Sequence, residues 1–281
     1  MGRSMKAVVV TEDGGPEVLE VREVVAPDPG PREILVRVRA SGLNRADLSQ
    51  RRGRYPAPPG WPQDIPGLEY AGVVAAVGSG VTLWEEGDRV MGIVGGGGYA
   101  QEVVVHERTA VRVPAGIETD AAGAVPEVFM TAFDALFRQM NLSEGETVLI
   151  HAVGSGVGTA AVQLTQSAGV RTIGTSRTGE KIERALELGL DVGILGDESW
   201  PDRVLEASGG KGVDLILDLV GGAYLKGNLR VLAQGGRQIV VGVPSGPKAE
   251  IDLRVLMGKR GLIKGTVLRA GPREEKIIMD R

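Results

Sequence analysis

The sequence predicts an α/β chain, with an irregular β-barrel in its first part and a doubly wound parallel sheet in its second. Three observations carry this. Up to about residue 122 the chain reads as short β segments separated by Gly/Pro turns. From Pro126 onward strand-like and helix-like stretches alternate, the pattern of a parallel sheet covered on both faces. Within that second stretch the apolar run Thr147-Val-Leu-Ile-His-Ala-Val153 feeds into Gly154-Ser-Gly156-Val-Gly158. These glycines open a small-residue, helix-like run, Thr159-Ala-Ala-Val-Gln-Leu-Thr165.

In the first part, Ala7-Val-Val-Val10, Glu33-Ile-Leu-Val-Arg-Val38, Gly72-Val-Val-Ala-Ala-Val77 and Tyr99-Ala-Gln-Glu-Val-Val-Val105 read as strands. Apolar residues at 34, 35, 36 and 38 mark the second of these as mostly buried. Pro27-Asp-Pro29-Gly-Pro31 and Pro56-Ala-Pro58-Pro59-Gly60 mark loops. In the second part Phe129, Ala132, Phe133, Leu136 and Phe137 recur at helical spacing and predict a helix over 128–140. After the glycine corner come a strand at 170–175, a helix at 180–188, a strand at 213–220 and a helix at 224–232. Strands at 238–241 and 262–268 follow. Domain boundaries are expected at 1–122, 123–268 and 269–281.

At 281 residues the chain is long enough for two ordinary domains, and 42% hydrophobic with 24% charged residues is the composition of a globular protein. With 32 basic against 36 acidic residues and no long run of either sign, neither nucleic acid nor an anionic membrane is expected as a partner. The absence of cysteine excludes disulfides, thiolate chemistry and cysteine-ligated zinc, and two histidines, His106 and His151, do not make a histidine-rich metal site. No apolar stretch has the length of a membrane span and the start lacks a signal-peptide core, so a cytoplasmic protein is expected.

Strand, glycine turn and small-residue helix start form the phosphate-binding corner of a Rossmann-type dinucleotide fold. Glycines let the backbone turn sharply and approach a pyrophosphate, and the helix N-terminus offers it free N–H groups and a positive dipole. A tight strand-to-helix turn without ligand is the bland alternative. The strand after the corner ends in Thr175-Ser-Arg177-Thr178, with Lys181 beyond and no acid at the tip. An NAD site places Asp or Glu there for the ribose 2′-hydroxyl, whereas Arg177 and Lys181 suit a 2′-phosphate. NADPH is therefore the expected cofactor, with a solvated basic turn diluted by Glu180 and Glu183 as the alternative.

Several motifs now converge on a known family. Gly67-Leu-Glu-Tyr-Ala-Gly72, Val77-Gly, Gly80-Val and Gly87-Asp-Arg-Val90 resemble the GroES-like first-domain signature of the medium-chain dehydrogenase/reductase superfamily. Leu43-Asn-Arg-Ala-Asp-Leu48, Gln50-Arg-Arg-Gly-Arg-Tyr55, Pro126-Glu127, Thr131-Ala-Phe133 and Ser155-Gly-Val-Gly-Thr-Ala-Ala-Val-Gln-Leu164 are similar to its zinc-free quinone oxidoreductase branch. Where zinc-dependent relatives place a cysteine and a histidine, this chain has Asn44 and Leu68. The resemblance thus implies a metal-free reductase of an already electrophilic acceptor, a quinone, with the hydride carried by the cofactor.

It also implies roles. Asn44 and Thr131 match positions around the cofactor, and Asn44, Asp47 and Tyr55 match positions in the cleft, Tyr55 with a ring able to stack on a flat acceptor. Gly154, Ser155, Gly156, Val157, Gly158, Ser176, Arg177 and Lys181 match cofactor contacts, and Val220, Gly221 and Gly242 match strand ends beside the ribose and nicotinamide. Read without the family, Asn44 and Asp47 fit a turn or helix cap, Tyr55 fits a loop aromatic, and His151 fits a structural role. Gly196 and Ser49 stand where some relatives have tyrosines, which weakens the expected NADPH preference and leaves the substrate open. The family pattern continues past Leu268 into a return segment, of which residues 272–281 resemble the start. A chain ending there is expected to bind NADPH but turn over quinone poorly. The last strand implies a homodimer. Two further readings stay open, an enone or enoyl-thioester reductase and a nucleotide-binding redox-sensing or interaction protein.

Overall fold

The computed structural model describes residues 2–271, so the expected helix from Pro272 lies outside the described residues. The chain divides into two compact units, Met1–Glu127 with the chain from Arg269, and Val128–Leu268. The sequence reading drew the first boundary at 122/123. The units divide five residues later, where the Glu127 N–H is tied to the Glu69 carboxylate of the first unit at 2.9 Å.

The first unit holds β1 (Ser4–Val10) and β2 (Leu19–Val25), an antiparallel pair. Then come β3 (Glu33–Ala40), helix α1 (Arg45–Gln50), β4 (Glu69–Val77), β5 (Arg89–Ile93), β6 (Glu102–His106), β7 (Val111–Arg112) and α2 (Thr119–Ala122). Five strands form one antiparallel sheet in the order β6-β3-β4-β5-β7. Ile34 and Val36 from β3, Tyr70 and Val74 from β4, Val90 from β5 and Val103 and Val105 from β6 fill its core. Their even spacing, two residues along β3 and β6 and four along β4, puts them on one face. Fully burying an Ile or Val of this kind contributes about 1.5–3 kcal/mol.

The second unit begins in α3 (Pro126–Phe133), which passes into a π-helical turn over Asp134–Gln139. The sequence reading had one continuous helix here. Both Arg138 and Gln139 donate to the Asp134 carboxylate across this wider turn, at 3.1 and 2.5 Å. Then follow β8 (Thr147–Ile150), α4 (Gly156–Ser167), β9 (Arg171–Ser176), α5 (Gly179–Glu187), β10 (Val192–Leu195), α6 (Trp200–Ala207), β11 (Val213–Asp218), α7 (Leu225–Val231), β12 (Leu232–Val240), α8 (Leu253–Lys259) and β13 (Leu262–Gly265).

The six strands are parallel in the order β10-β9-β8-β11-β12-β13, which counted from β8 is the doubly wound order 3-2-1-4-5-6. Val148, Ile150, Leu215 and Leu217 point into one core with α4, and Leu149 and Ile216 into another with Trp200 and Val204 of α6. Apolar residues at successive positions are therefore the signature of a sheet buried on both faces. The doubly wound order puts the C-terminal ends of β8 and β11 side by side, the switch point where such sheets bind ligands.

Candidate functional site

The glycine corner sits at the end of β8. Ser155 caps α4, its hydroxyl accepting the Gly158 N–H at 3.2 Å. Gly158 has no room for a side chain, because a Cβ would lie 2.6 Å from the Ala152 and Val153 carbonyl oxygens. That closeness brings the first turn of α4, with Gly156 and Val157, against the strand end. Across Gly154 runs the aliphatic stem of Lys181, which a Cβ would meet at 2.6 Å. A corner, a twelve-residue helix dipole and a lysine therefore share one small region.

The tip of β9 adjoins it, since the Val153 N–H donates to the Thr175 carbonyl at 2.9 Å. Ser176 is buried, while Arg177 and Lys181 are exposed and cationic. The nearby acid Glu180 is turned to Arg184 at 3.0 Å along the exposed face of α5. The tip residues Ser176, Arg177 and Thr178 include no acid, and Asp197, which follows Gly196 nearby, is paired with Arg203.

The third part is organised by Asp218, the last residue of β11. One of its oxygens accepts the N–H groups of Val220 and Gly221, both at 2.8 Å. The other accepts Gln238 at 2.8 Å and Asn228 at 3.1 Å. Burial raises its pKa, and the Gly221 and Val220 amides, Gln238 and Asn228 counter this. The Asp218 carbonyl takes the Val241 N–H at 2.9 Å, with the Gly242 N–H at 3.4 Å, so Val220, Gly221 and Gly242 are gathered around one residue. Asn228 extends the chain inward. Because its amide donates to Asp218, its oxygen faces His151 Nε2 at 2.7 Å and makes that nitrogen the donor. His151 Nδ1 then accepts from Thr175 at 2.8 Å. Fully buried, His151 is held neutral, its pKa lowered to about 4 by desolvation.

In the first unit Asn44 is the N-cap of α1, and its backbone N–H donates to Asp47 at 2.7 Å. Its side-chain amide donates to Glu69 Oε1 at 2.7 Å, while Glu69 Oε2 takes the Glu127 N–H at 2.9 Å. Asp47 also receives the Tyr99 hydroxyl at 2.6 Å. Burial raises the pKa of both carboxyls; hydrogen bonds from the Tyr99 hydroxyl and the Asn44 and Gly67 amides pull Asp47 back, and the Glu127 and Asn44 contacts do so for Glu69. The cap reading of Asn44 and Asp47 thus holds, and the cap is built into a buried acid cluster.

Tyr55 is joined to α1 through Arg269. The Arg269 guanidinium covers one face of its ring, 4.6 Å from the centroid. Arg269 also donates to the Tyr55 carbonyl at 3.3 Å, to Gln50 at 3.2 Å and to the Gly95 carbonyl. Thr131 is buried in α3. Sequence reasoning missed Tyr99, Asp218, Asn228 and Arg269. Only Asp218 carried a signal, an acid inside an apolar strand and just ahead of a glycine pair.

The residues at the zinc positions of related enzymes are poor ligands here. Leu68 is core, and the Asn44 amide is engaged by Glu69. Among the described residues no three His, Cys, Asp or Glu side chains cluster as a metal site would need. No helix among them is long and apolar enough to cross a membrane.

Comparison with known proteins agrees with this architecture. Residues 30–115 match the alcohol dehydrogenase GroES-like domain, and residues 156–281 match the zinc-binding dehydrogenase family. The quinone oxidoreductase of Pseudomonas aeruginosa is 40% identical over 251 residues, covering 89% of this chain and 77% of that protein. The human quinone oxidoreductase is 34% identical over 274 residues, covering 96% and 82%. Among solved structures, a quinone oxidoreductase from Pseudomonas syringae pv. Tomato DC3000 superposes with a TM-score of 0.84 at 34% identity, covering 94% of this chain and 82% of that one. The CurK enoyl reductase superposes with a TM-score of 0.86 at 25% identity, covering 98% and 85%. The chain is an oxidoreductase of the type that works through a nicotinamide dinucleotide. It belongs to the quinone oxidoreductase branch of the medium-chain dehydrogenase/reductase superfamily.

Proposed function

We propose that this chain reduces quinones with NADPH, without a metal, in the cytoplasm and as a homodimer. The observation that carries the cofactor choice is the tip of β9, where Arg177 and Lys181 stand exposed with no acid among Ser176, Arg177 and Thr178, and where Glu180 of α5 is paired with Arg184. The residues present fit the cofactor. The close approach at Gly158 and the start of α4 suit a pyrophosphate, and Ser176, Arg177 and Lys181 suit a 2′-phosphate. Val220, Gly221 and Gly242, fixed through Asp218, would line the ribose and nicotinamide, with Asn44 and Thr131 as further contacts.

When bound, the nicotinamide supplies the hydride, and the protein supplies position and electrostatics. A quinone is already electrophilic and needs no Lewis acid, which agrees with Leu68 and Asn44 at the positions where related enzymes hold zinc. Tyr55 would supply an aromatic ring to a flat acceptor, held by Arg269 against one face, and Asp47 of α1 forms a protonatable pair with Tyr99.

The test is direct. NADPH should bind more tightly than NADH, and Lys181→Ala should weaken NADPH by about 1.5–3 kcal/mol while leaving NADH nearly unchanged. Quinone-dependent NADPH oxidation should survive exhaustive chelation. An NADH preference, or activity lost with removed zinc, would overturn the assignment.

A second reading, enone or enoyl-thioester reduction, is supported by the likeness to the CurK enoyl reductase. An enone panel beside a quinone panel separates the two. No turnover of either, with NADPH still bound, would favour a nucleotide-binding module instead.

A further inference from the structure

Tyr224 lies in the short turn Gly222–Tyr224 ahead of α7. Its ring is fixed on two sides, stacked on Trp200 at 5.2 Å and met edge-on by His151 at 4.8 Å. The position of its hydroxyl is therefore set by packing. That hydroxyl lies 3.3 Å from the Gly196 carbonyl, a long hydrogen bond that is readily given up. Gly196 follows β10, and its N–H donates to the Ser176 carbonyl at 2.8 Å. The tyrosine hydroxyl thus stands at the tip of β9, in the neighbourhood of Ser176. Burial raises its pKa, the positive charge of Arg177 lowers it, and Asp218 and Asp197 raise it further, so the hydroxyl stays a neutral donor.

A side chain at Gly196 would close this arrangement, since a Cβ would come within 2.7 Å of the Tyr224 oxygen. The glycine and the tyrosine are one device, a bare backbone position with a rigid hydroxyl laid over it. A fixed neutral donor within reach of the Arg177 charge, with Lys181 in the first turn of α5 just past the same tip, is suited to the several acceptor oxygens of a phosphomonoester. We propose that Tyr224 is a specificity-determining residue for the adenosine 2′-phosphate, its hydroxyl donating to that group beside Arg177 and Lys181, with Gly196 clearing its place. This rests on the NADPH reading.

The test compares 2′,5′-ADP with 5′-AMP, and NADPH with NADH, by calorimetric titration of the parent, Tyr224→Phe and Gly196→Ala. Phenylalanine keeps the stack on Trp200, so the fold is retained. The expected result is a parent that prefers the 2′-phosphorylated member of each pair. Tyr224→Phe should lose about tenfold or more of that preference, the range for a hydrogen bond to a charged group, with 5′-AMP and NADH unchanged. Gly196→Ala, by displacing the hydroxyl, should lose it in the same direction. If Tyr224→Phe retains the parent's preference, or weakens both members of a pair equally, the assignment of Tyr224 is wrong and the NADPH reading stands. If the parent shows no preference at all, both fail together.

Discussion

Burial holds His151 in its neutral form, with Nδ1 accepting from Thr175 and Nε2 donating to Asn228. An unfolded chain takes up a proton on this imidazole near the ordinary value of 6.5, whereas the folded chain refuses it until about 4. Acid therefore favours the unfolded state across that window, and His151 should cost the fold about 3 kcal/mol between pH 6.5 and 4. Buried carboxyls with raised pKa, such as Asp218 and Glu69, work in the opposite sense, so the parent must be compared with His151→Gln. Denaturant midpoints of the two should converge as pH falls, and parallel curves would remove the argument. Glu69 gives a second residue-level prediction. Its two oxygens accept from two donors, the Asn44 amide and the Glu127 N–H. In Glu69→Gln one of those donors would face another N–H, at a cost of about 1–3 kcal/mol in chemical denaturation. Unchanged stability would show that both donors find other partners.

Elements were legible where one pattern spoke alone. The successive apolar residues Val148-Leu-Ile150 of β8 and Leu215-Ile-Leu217 of β11 announced a sheet buried on both faces, and Gly154 to Gly158 announced the turn into α4. Those missed had conflicting local signals. Pro201 reads as a break, yet it sits in the first turn of α6, where its missing N–H has no partner to lose. The β10 strand is four residues with a glycine inside it, and α8 is capped by Asp252 but leaves Leu253 and Met257 exposed, so neither shows a clean period. The helix expected over 128–140 has the right apolar spacing but turns π-helical at Asp134, through polar contacts that spacing does not record. At this scale the sharpest prediction concerns the join of β8 and α4. Gly158→Ala sets a methyl group against two backbone carbonyls, which no rotamer change relieves. It should destabilise the second unit by about 1–3 kcal/mol and abolish tight cofactor binding, read by thermal unfolding and titration. An alanine variant that binds as the parent does would mean that helix and strand separate freely.

For the whole molecule, the site was legible as motifs and opaque as connections. The glycines, Arg177 and Lys181 could be named from spacing because their chemistry is local. Arg269 could not, since it reaches Gln50, Tyr55 and Gly95 across more than 170 residues of chain. The assembly is a further expectation at this scale. β13 pairs with β12 alone among the described strands, and the Thr266 N–H donates to Val240. By the two-residue alternation of a strand, the Ile263 N–H points away from β12 toward the open edge. Leu262 of β13 is exposed. A homodimer across this edge should be seen in sedimentation, and Ile263→Pro should weaken it while sparing the β12 pairing. A monomeric parent at micromolar concentration would refute it. Asp218 carries a consequence of a different kind, one of time rather than affinity. It holds the loop of Val220 and Gly221 by their two N–H groups and is itself held by Asn228 and Gln238, so this loop is ordered before the dinucleotide docks. In stopped-flow mixing, NADPH capture should be a single phase whose rate rises linearly with concentration. Asp218→Asn, which sets an amide against those same donors, should make the rate level off as loop ordering becomes the slow step.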